Sequence, residues 1–317
     1  MSSVIVDIFG DNFEEALATS DSWQVHRPFV KKNVEKMLMC RTLQLGVKGF
    51  QCENEKCSYT MFVPNTCKSR VCPCCGFMMN LNWQGAFMNR VIPSDYQHMV
   101  FGLPGKLRPL AAVNRKAISK LMFGSINQTI QEFCKEKENY VTGLVGVFHS
   151  FNKSLGIHYH FHIIRNAGGI SLDDGKTWVD GTYINEKFVK ERWKAKFMEG
   201  LRKLYEQGEL NGYHGQLNKQ AFNQFLDSVF KQDWYVWIDQ AEKGNTLIPY
   251  FYITRYLKRM PITAKRIVSY SKAAKIVKWL PQSRQPLAKT QAFTTPACMP
   301  RLTEKPITRL LKNILIN

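Results

Sequence analysis

The sequence predicts an α+β protein: a helical, cysteine-rich region followed by a larger region where strands and long helices alternate. Three observations carry this. Seven of the nine cysteines lie between Cys40 and Cys75. Residues 156–164 read Gly-Ile-His-Tyr-His-Phe-His-Ile-Ile. Three histidines alternating with apolar or aromatic residues have the period of a strand, which projects every imidazole from one face. Helical periodicity then fills residues 110–135 and most of 185–232.

Taken in order, residues 24–48 have Val34, Met37, Leu38 and Leu45 near helical spacing among basic residues. Residues 49–80 are the cysteine-rich segment, with short strand-like pieces such as 60–63. A helix containing Trp83 and Arg90 follows over 81–92. Residues 96–104 read as a strand stopped by Pro104, and the next helix places Ile118, Leu121, Met122, Ile126 and Ile130 on one side. Strands over 143–151 and 157–165 flank a turn-like 152–156 and form a hairpin, with Gly168 and Gly169 closing the second strand. The helical stretch 185–232 is interrupted by 208–215. Residues 234–238 are a strand and 247–260 a helix ended by Pro261. Beyond about 280, five prolines break any long element until a short helix over 307–316. The expected division is 1–92, then 93–275 with a helical insertion at about 180–232, then a basic, irregular tail over 276–317.

A formal charge of +19 on 317 residues points to a polyanionic partner. Residues 251–317 carry 14 Lys and Arg against the single acid Glu304. The acidic start of the chain has neither a basic leader nor an apolar core, so a signal peptide is not expected. No window approaches the roughly 18 apolar residues of a membrane span. A cytoplasmic, nucleoid-associated bacterial protein with no membrane partner is the expectation. There, clustered cysteines favour metal over disulfides.

Zinc requires four thiolate or imidazole ligands, supplied in close pairs from two turns. Cys52 with Cys57, and Cys72 with Cys75, are the natural pairs. Cys40, Cys67 and Cys74 are left over, so alternative ligation or a second site stays open.

Of the alternating histidines, His158, His160 and His162, each would need its own buried partner, and a divalent cation solves that for at least two. A simple hairpin register sets His149 opposite His160, which makes His149 a candidate third ligand and His158 its competitor. Tyr252 and Tyr256 stand four apart in a helix-permissive segment, about 5–6 Å apart at Cβ. With a reference pKa of about 10, tyrosine attacks a phosphodiester only when a cation polarises the phosphate. Arg255, Lys258 and Arg259 nearby could clamp the DNA backbone.

These residues resemble the HUH-type rolling-circle transposases of the family named after insertion sequence ninety-one. The likeness spans roughly residues 30–275. It begins with Cys40-Arg41-Thr42, Leu45-Gly46 and Cys67…Arg70-x-Cys72-Pro73-x-Cys75. It continues through Trp83, Phe101-Gly102-Leu103-Pro104 and Phe148-His149-Ser150-Phe151, then the histidine strand and Gly168-Gly169. It ends with Tyr252-x2-Arg255-Tyr256-x2-Arg259. Val71 departs from the family's histidine. The resemblance implies an antiparallel-sheet nuclease domain of ferredoxin-like or RRM-like type behind a zinc-binding, DNA-recognition domain. In it, His160 and His162 would hold Mg²⁺ or Mn²⁺, with Tyr252 and Tyr256 as the paired nucleophiles. The implied activity is single-stranded DNA transposition through a 5′-phosphotyrosine. The same chemistry would serve a replication initiator or relaxase, and a non-catalytic zinc-dependent nucleic-acid-binding protein is the rival from another class.

Overall fold

The computed structural model describes residues 3–20, 28–152, 156–181, 184–212, 218–239, 263–280 and 303–306. In chain order the elements begin α1 (Val4–Ala18), α2 (Pro28–Leu38), β1 (Val47–Gln51), β2 (Thr60–Pro64) and α3 (Pro73–Met88). Next are β3 (Tyr96–Gly102), α4 (Arg108–Val113), α5 (Arg115–Glu138), β4 (Tyr140–Val141), β5 (Leu144–Phe151) and β6 (Ile157–Asn166). Then come β7 (Gly168–Ser171), β8 (Trp178–Asp180), α6 (Glu186–Glu206), α7 (Lys219–Phe230) and β9 (Tyr235–Ile238). The last are β10 (Ile267–Ser271), β11 (Ile276–Trp279) and β12 (Thr303–Pro306). Among the described residues, no helix is long and apolar enough to cross a membrane.

The contacts divide the chain into two units. The first is Met1–Asn89, Phe151–Gly156 and Lys258–Asn317; the second is Arg90–Ser150 and Ile157–Leu257.

In the first unit, α1 buries Ile5, Ile8, Phe9, Phe13 and Ala16, recurring at helical spacing, against Val34 and Met37 of α2. Val277 and Trp279 of β11 complete this core together with Cys67, Cys72 and Cys75. Tyr270 of β10 is tied to α1: Asn12 Nδ2 donates to its hydroxyl (2.9 Å), and that hydroxyl donates to Asp11 (2.8 Å). The acidic start of the chain, which has no helical reading in the sequence above, is thus the helix on which β10 and β11 pack. The segment 263–280 groups with the N-terminal helices, not with the histidine strand. α3 starts at Pro73, where a missing N–H costs nothing.

The second unit is built on a sheet in the order β5-β6-β3-β9. β3 runs antiparallel to both neighbours, with Val100 opposite His162 and Gly102 opposite His160 on one side, and Val100 opposite Trp237 on the other. Alternation sends Met99, Phe101, Tyr159, Phe161 and Ile163 into the core. There they meet Ile118, Met122, Ile126 and Ile130, which recur every fourth residue along α5. α6 is no peripheral insertion. Its Trp193 is fully buried, edge-on to Phe101 (5.1 Å between ring centroids) and to Trp234 (5.2 Å). Both helices therefore cover one face of the sheet, and the histidines lie on the other.

The rim of this sheet is fixed by the buried Arg165. It donates to Gln97 Oε1 (3.0 Å), to the Tyr140 hydroxyl (3.3 Å) and to the Asn166 carbonyl (3.1 Å). The small sheet β4-β7-β8 requires Gly168 and Gly169. A Cβ there would lie 2.5 Å from the Val179 carbonyl oxygen and 2.1 Å from that of Val141, closer than any side chain tolerates.

Candidate metal centres

Four thiols converge in the first unit: Cys40, Cys67, Cys72 and Cys75, with their sulfurs all within 4.8 Å of one another. Cys40 follows α2, Cys67 follows β2, and Cys72 and Cys75 sit at the cap and first turn of α3. Cys75 Sγ is 3.6 Å from both Cys40 Sγ and Cys67 Sγ. A tetrahedron with zinc–sulfur bonds of about 2.3 Å needs sulfurs about 3.8 Å apart, so the set fits zinc. The backbone turns sharply after two of these residues, Arg41 and Lys68 having φ of 62° and 52°. Such left-handed residues cost about 1–2 kcal/mol each and persist where the surroundings require them. The turns let backbone N–H groups reach sulfur: Cys67 N–H donates to Cys40 Sγ and Ser69 N–H to Cys67 Sγ, both at 3.4 Å.

The thiols also show what a cation would change. Burial pushes Cys72 up to about 11 and Cys67 higher still. Burial would raise Cys75 too, but hydrogen bonds from Cys40 and Cys67 bring it below its ordinary value. Three buried thiolates and the half-buried Cys40 cannot all ionise together without a compensating charge, which a metal supplies by displacing the protons.

This set corrects the sequence expectation. Cys72 and Cys75 are gathered with Cys40 and Cys67, not with Cys52 and Cys57. The latter pair sits in the connection between β1 and β2, where the Asn54 backbone and the Cys57 thiol lower Cys52. Cys74 points outward, exposed. The physical reason is that α2 and α3 pack on one core with the end of β2. That packing delivers Cys40 and Cys67 to Cys72, while the hairpin carries Cys52 and Cys57 away.

In the second unit, His149, His160 and His162 bring one ring nitrogen each within 4.8 Å of one another. Ring centroids lie 5.2 Å (His149 to His160), 4.7 Å (His149 to His162) and 5.1 Å (His160 to His162) apart. His158 is not part of this set, although its ring lies 4.9 Å from that of His160. Its Nδ1 faces the Arg108 guanidinium at 3.5 Å, a cation where a metal ligand would want a vacant lone pair. Burial, then the neighbouring imidazole of His149, holds His160 down at about 3 and His162 well below its ordinary value. His160 and His162 are therefore neutral at pH 7, the protonation state that binds metal.

Comparison with known proteins accords with the thiol cluster. A family model for a transposase zinc-binding domain matches residues 8–103, and a model described as "Putative transposase" matches residues 143–304, about half of the chain. The chain belongs to this transposase family. It is 28% identical over 246 residues to the transposase for insertion sequence element IS801 of Pseudomonas savastanoi pv. phaseolicola, covering 77% of this chain and 58% of that protein. It is 25% identical over 283 residues to "Putative transposase y4qJ" of Sinorhizobium fredii, covering 87% and 69% respectively. The chain thus spans about six- to seven-tenths of the length of these relatives. No solved structure matches it.

Tyr252, Arg255, Tyr256, Lys258 and Arg259 lie outside the described residues. Two residues near the histidines were missed from the sequence: His98 of β3, whose Nε2 is 3.1 Å from His162 Nδ1, and Arg108. His98 stands alone in its strand, so no pattern marks it. It meets His162 only through strand pairing.

Proposed function

We propose that this transposase nicks and rejoins single strands of DNA by tyrosine attack, with His149, His160 and His162 holding a divalent cation. The observation that carries the reading is the convergence of three imidazoles on the face of the sheet opposite its helices. The chain order strand, helix, strand, strand, helix, strand with this sheet order corresponds to the split βαβ, ferredoxin-like arrangement. That arrangement supports the nuclease-domain expectation.

An imidazole-only set leaves the cation's whole charge available to a phosphate, and it suits Mn²⁺ better than Mg²⁺, which prefers oxygen ligands. When bound, the cation would polarise a non-bridging oxygen of the scissile phosphate. Tyr252 or Tyr256 then forms the new bond to phosphorus as its phenolic proton departs. The bond from phosphorus to the 3′-oxygen breaks, and that oxygen leaves as a hydroxyl after taking up a proton. The product is a 5′-phosphotyrosine that retains the bond energy, so rejoining to a new 3′-hydroxyl needs no ATP. A second tyrosine lets one site hold donor and target ends in turn.

Arg255, Lys258 and Arg259, with the basic end of the chain, would contact backbone phosphates. In the zinc unit, Phe50 and Tyr59 are exposed on the face of the β1–β2 hairpin that carries Lys48, a combination on which bases of a single strand can stack. The zinc unit favours transposition over a replication initiator or relaxase.

The test is a 5′-labelled single strand carrying an element end, incubated with Mn²⁺ with and without EDTA. Cleavage should need the metal, and mass spectrometry should find a nucleotide linked through its 5′ phosphate to Tyr252 or Tyr256. The double Phe variant should form no adduct. An adduct that persists in it, or that maps to Tyr250, which helical spacing of 3.6 residues per turn would set about 200° from Tyr252, rejects the assignment.

A further inference from the structure

We propose that His98 is a positioning residue for the histidine cluster: its Nε2 accepts the Nδ1–H of His162 and so leaves the His162 Nε2 lone pair for a metal. The inference rests on the reading of the cluster as a metal centre.

An imidazole that binds a cation through Nε2 must carry its proton on Nδ1. His160 is held in that form by its own strand: its Nδ1 lies 3.0 Å from the carbonyl oxygen of His158, which can only accept. His162 is served by a side chain instead. His98 Nε2 lies 3.1 Å from His162 Nδ1, with the two rings stacked 5.3 Å apart and 7° from parallel. The contact is built into the sheet. β3 pairs with β6 so that His98 is opposite Ile164 and Val100 opposite His162, setting the two histidines diagonally on one face. Trp237, opposite Val100 on the other neighbouring strand, meets the His98 ring edge-on at 5.3 Å and holds its plane. His98 itself is buried, 3% exposed.

A histidine at this position, unlike a carbonyl, can bond in either direction. Were His98 to donate from Nε2, His162 would carry its proton on Nε2 and be closed to metal. Pre-organisation for a metal therefore requires Nδ1–H on both His98 and His162 before any ion binds. Outer partners of this kind tune affinity through ligand orientation and basicity.

Two variants separate positioning from packing. His98→Leu keeps apolar bulk without an acceptor, whereas His98→Gln offers an amide oxygen with similar reach. Mn²⁺ is titrated into the full chain and the free ion followed by electron paramagnetic resonance, at a temperature where circular dichroism shows each variant folded. His98→Leu should weaken Mn²⁺ binding about 10- to 100-fold, and His98→Gln should stay within about 3-fold of wild type. Wild-type affinity in His98→Leu, or equal weakening in both variants, overturns the proposal. A second measurement needs no metal. Nitrogen-15 spectra of the histidines should show His162 as the Nδ1–H tautomer in the wild type and a mixture in His98→Leu. A wild-type His162 protonated on Nε2 overturns the role of His98 alone. Absence of Mn²⁺ binding in the wild type overturns the metal reading of the cluster instead.

Discussion

The thiols of the first unit come from three separated stretches of chain, at Cys40, at Cys67 and at the start of α3. The imidazoles of the second unit ride on two neighbouring strands, β5 and β6. On a strand, side-chain direction follows from the two-residue period, so the spacing of His160 and His162 puts their rings on one face before any tertiary contact forms. At turns no period operates. There, direction depends on where the flanking elements pack, and two left-handed residues, Arg41 and Lys68, bend the chain just after two of the cysteines. The clusters also differ in what they cost when empty. Buried thiols retain their protons and the unit has a small core, whereas neutral imidazoles lie over a sheet already held by the α5–α6 core. The first cluster should therefore govern folding and the second chemistry.

The largest effect should come from the thiols. Cys40→Ser or Cys67→Ser should release zinc and unfold the first unit, because structural zinc contributes on the order of 10 kcal/mol to folding. Cys52→Ser and Cys57→Ser should leave the zinc in place. Elemental analysis with limited proteolysis decides it, and zinc loss in Cys52→Ser with retention in Cys40→Ser would restore the sequence-based ligand set.

Next in size is the core beneath the histidines. Trp193→Ala should cost the second unit about 3–5 kcal/mol, measured by urea unfolding, because it empties the contact among Phe101, Trp234 and Phe197. A cost below 1 kcal/mol would mean that α6 is peripheral after all.

The histidines themselves should matter little for stability. His160→Ala or His162→Ala should lower Mn²⁺-dependent nicking by at least about 100-fold while shifting stability by less than about 1 kcal/mol. DNA binding should be largely kept, since basic residues supply most of the affinity. Wild-type nicking by either variant would remove the catalytic half of the comparison.

The last effect is a pH dependence. Burial holds His98 and His160 at about 3, below their ordinary 6.5. The unfolded chain therefore takes up protons first as pH falls. Stability of the metal-free second unit should be flat above about pH 6.5 and decline progressively below it. Thermal melts across this range check the sign. A melting temperature that rises on acidification would show that the rings are not buried as neutral groups.

By itself, the sequence determined the elements with strong periods. These are the histidine strand, the strand beginning at Tyr96, and the helix carrying Ile118 to Ile130. Each depends on spacing within a few residues, which is local. It also marked a zinc region, because so dense a group of cysteines has few other uses. Tertiary structure alone decided which thiols meet. Cys40 and Cys67 are 27 residues apart and are joined only because α2 and β2 end against one core. The same holds for His98, a lone histidine whose partner sits 64 residues later on a paired strand. It holds too for α6, which looks like an inserted helix until Trp193 is seen against Phe101. It holds for β10 and β11, whose Trp279 and Val277 pack with the first helix of the chain. Short-range order follows from backbone geometry and hydrophobic period, which a sequence displays directly. Long-range pairing follows from which apolar faces bury one another, and many pairings satisfy the same pattern until the whole core is assembled.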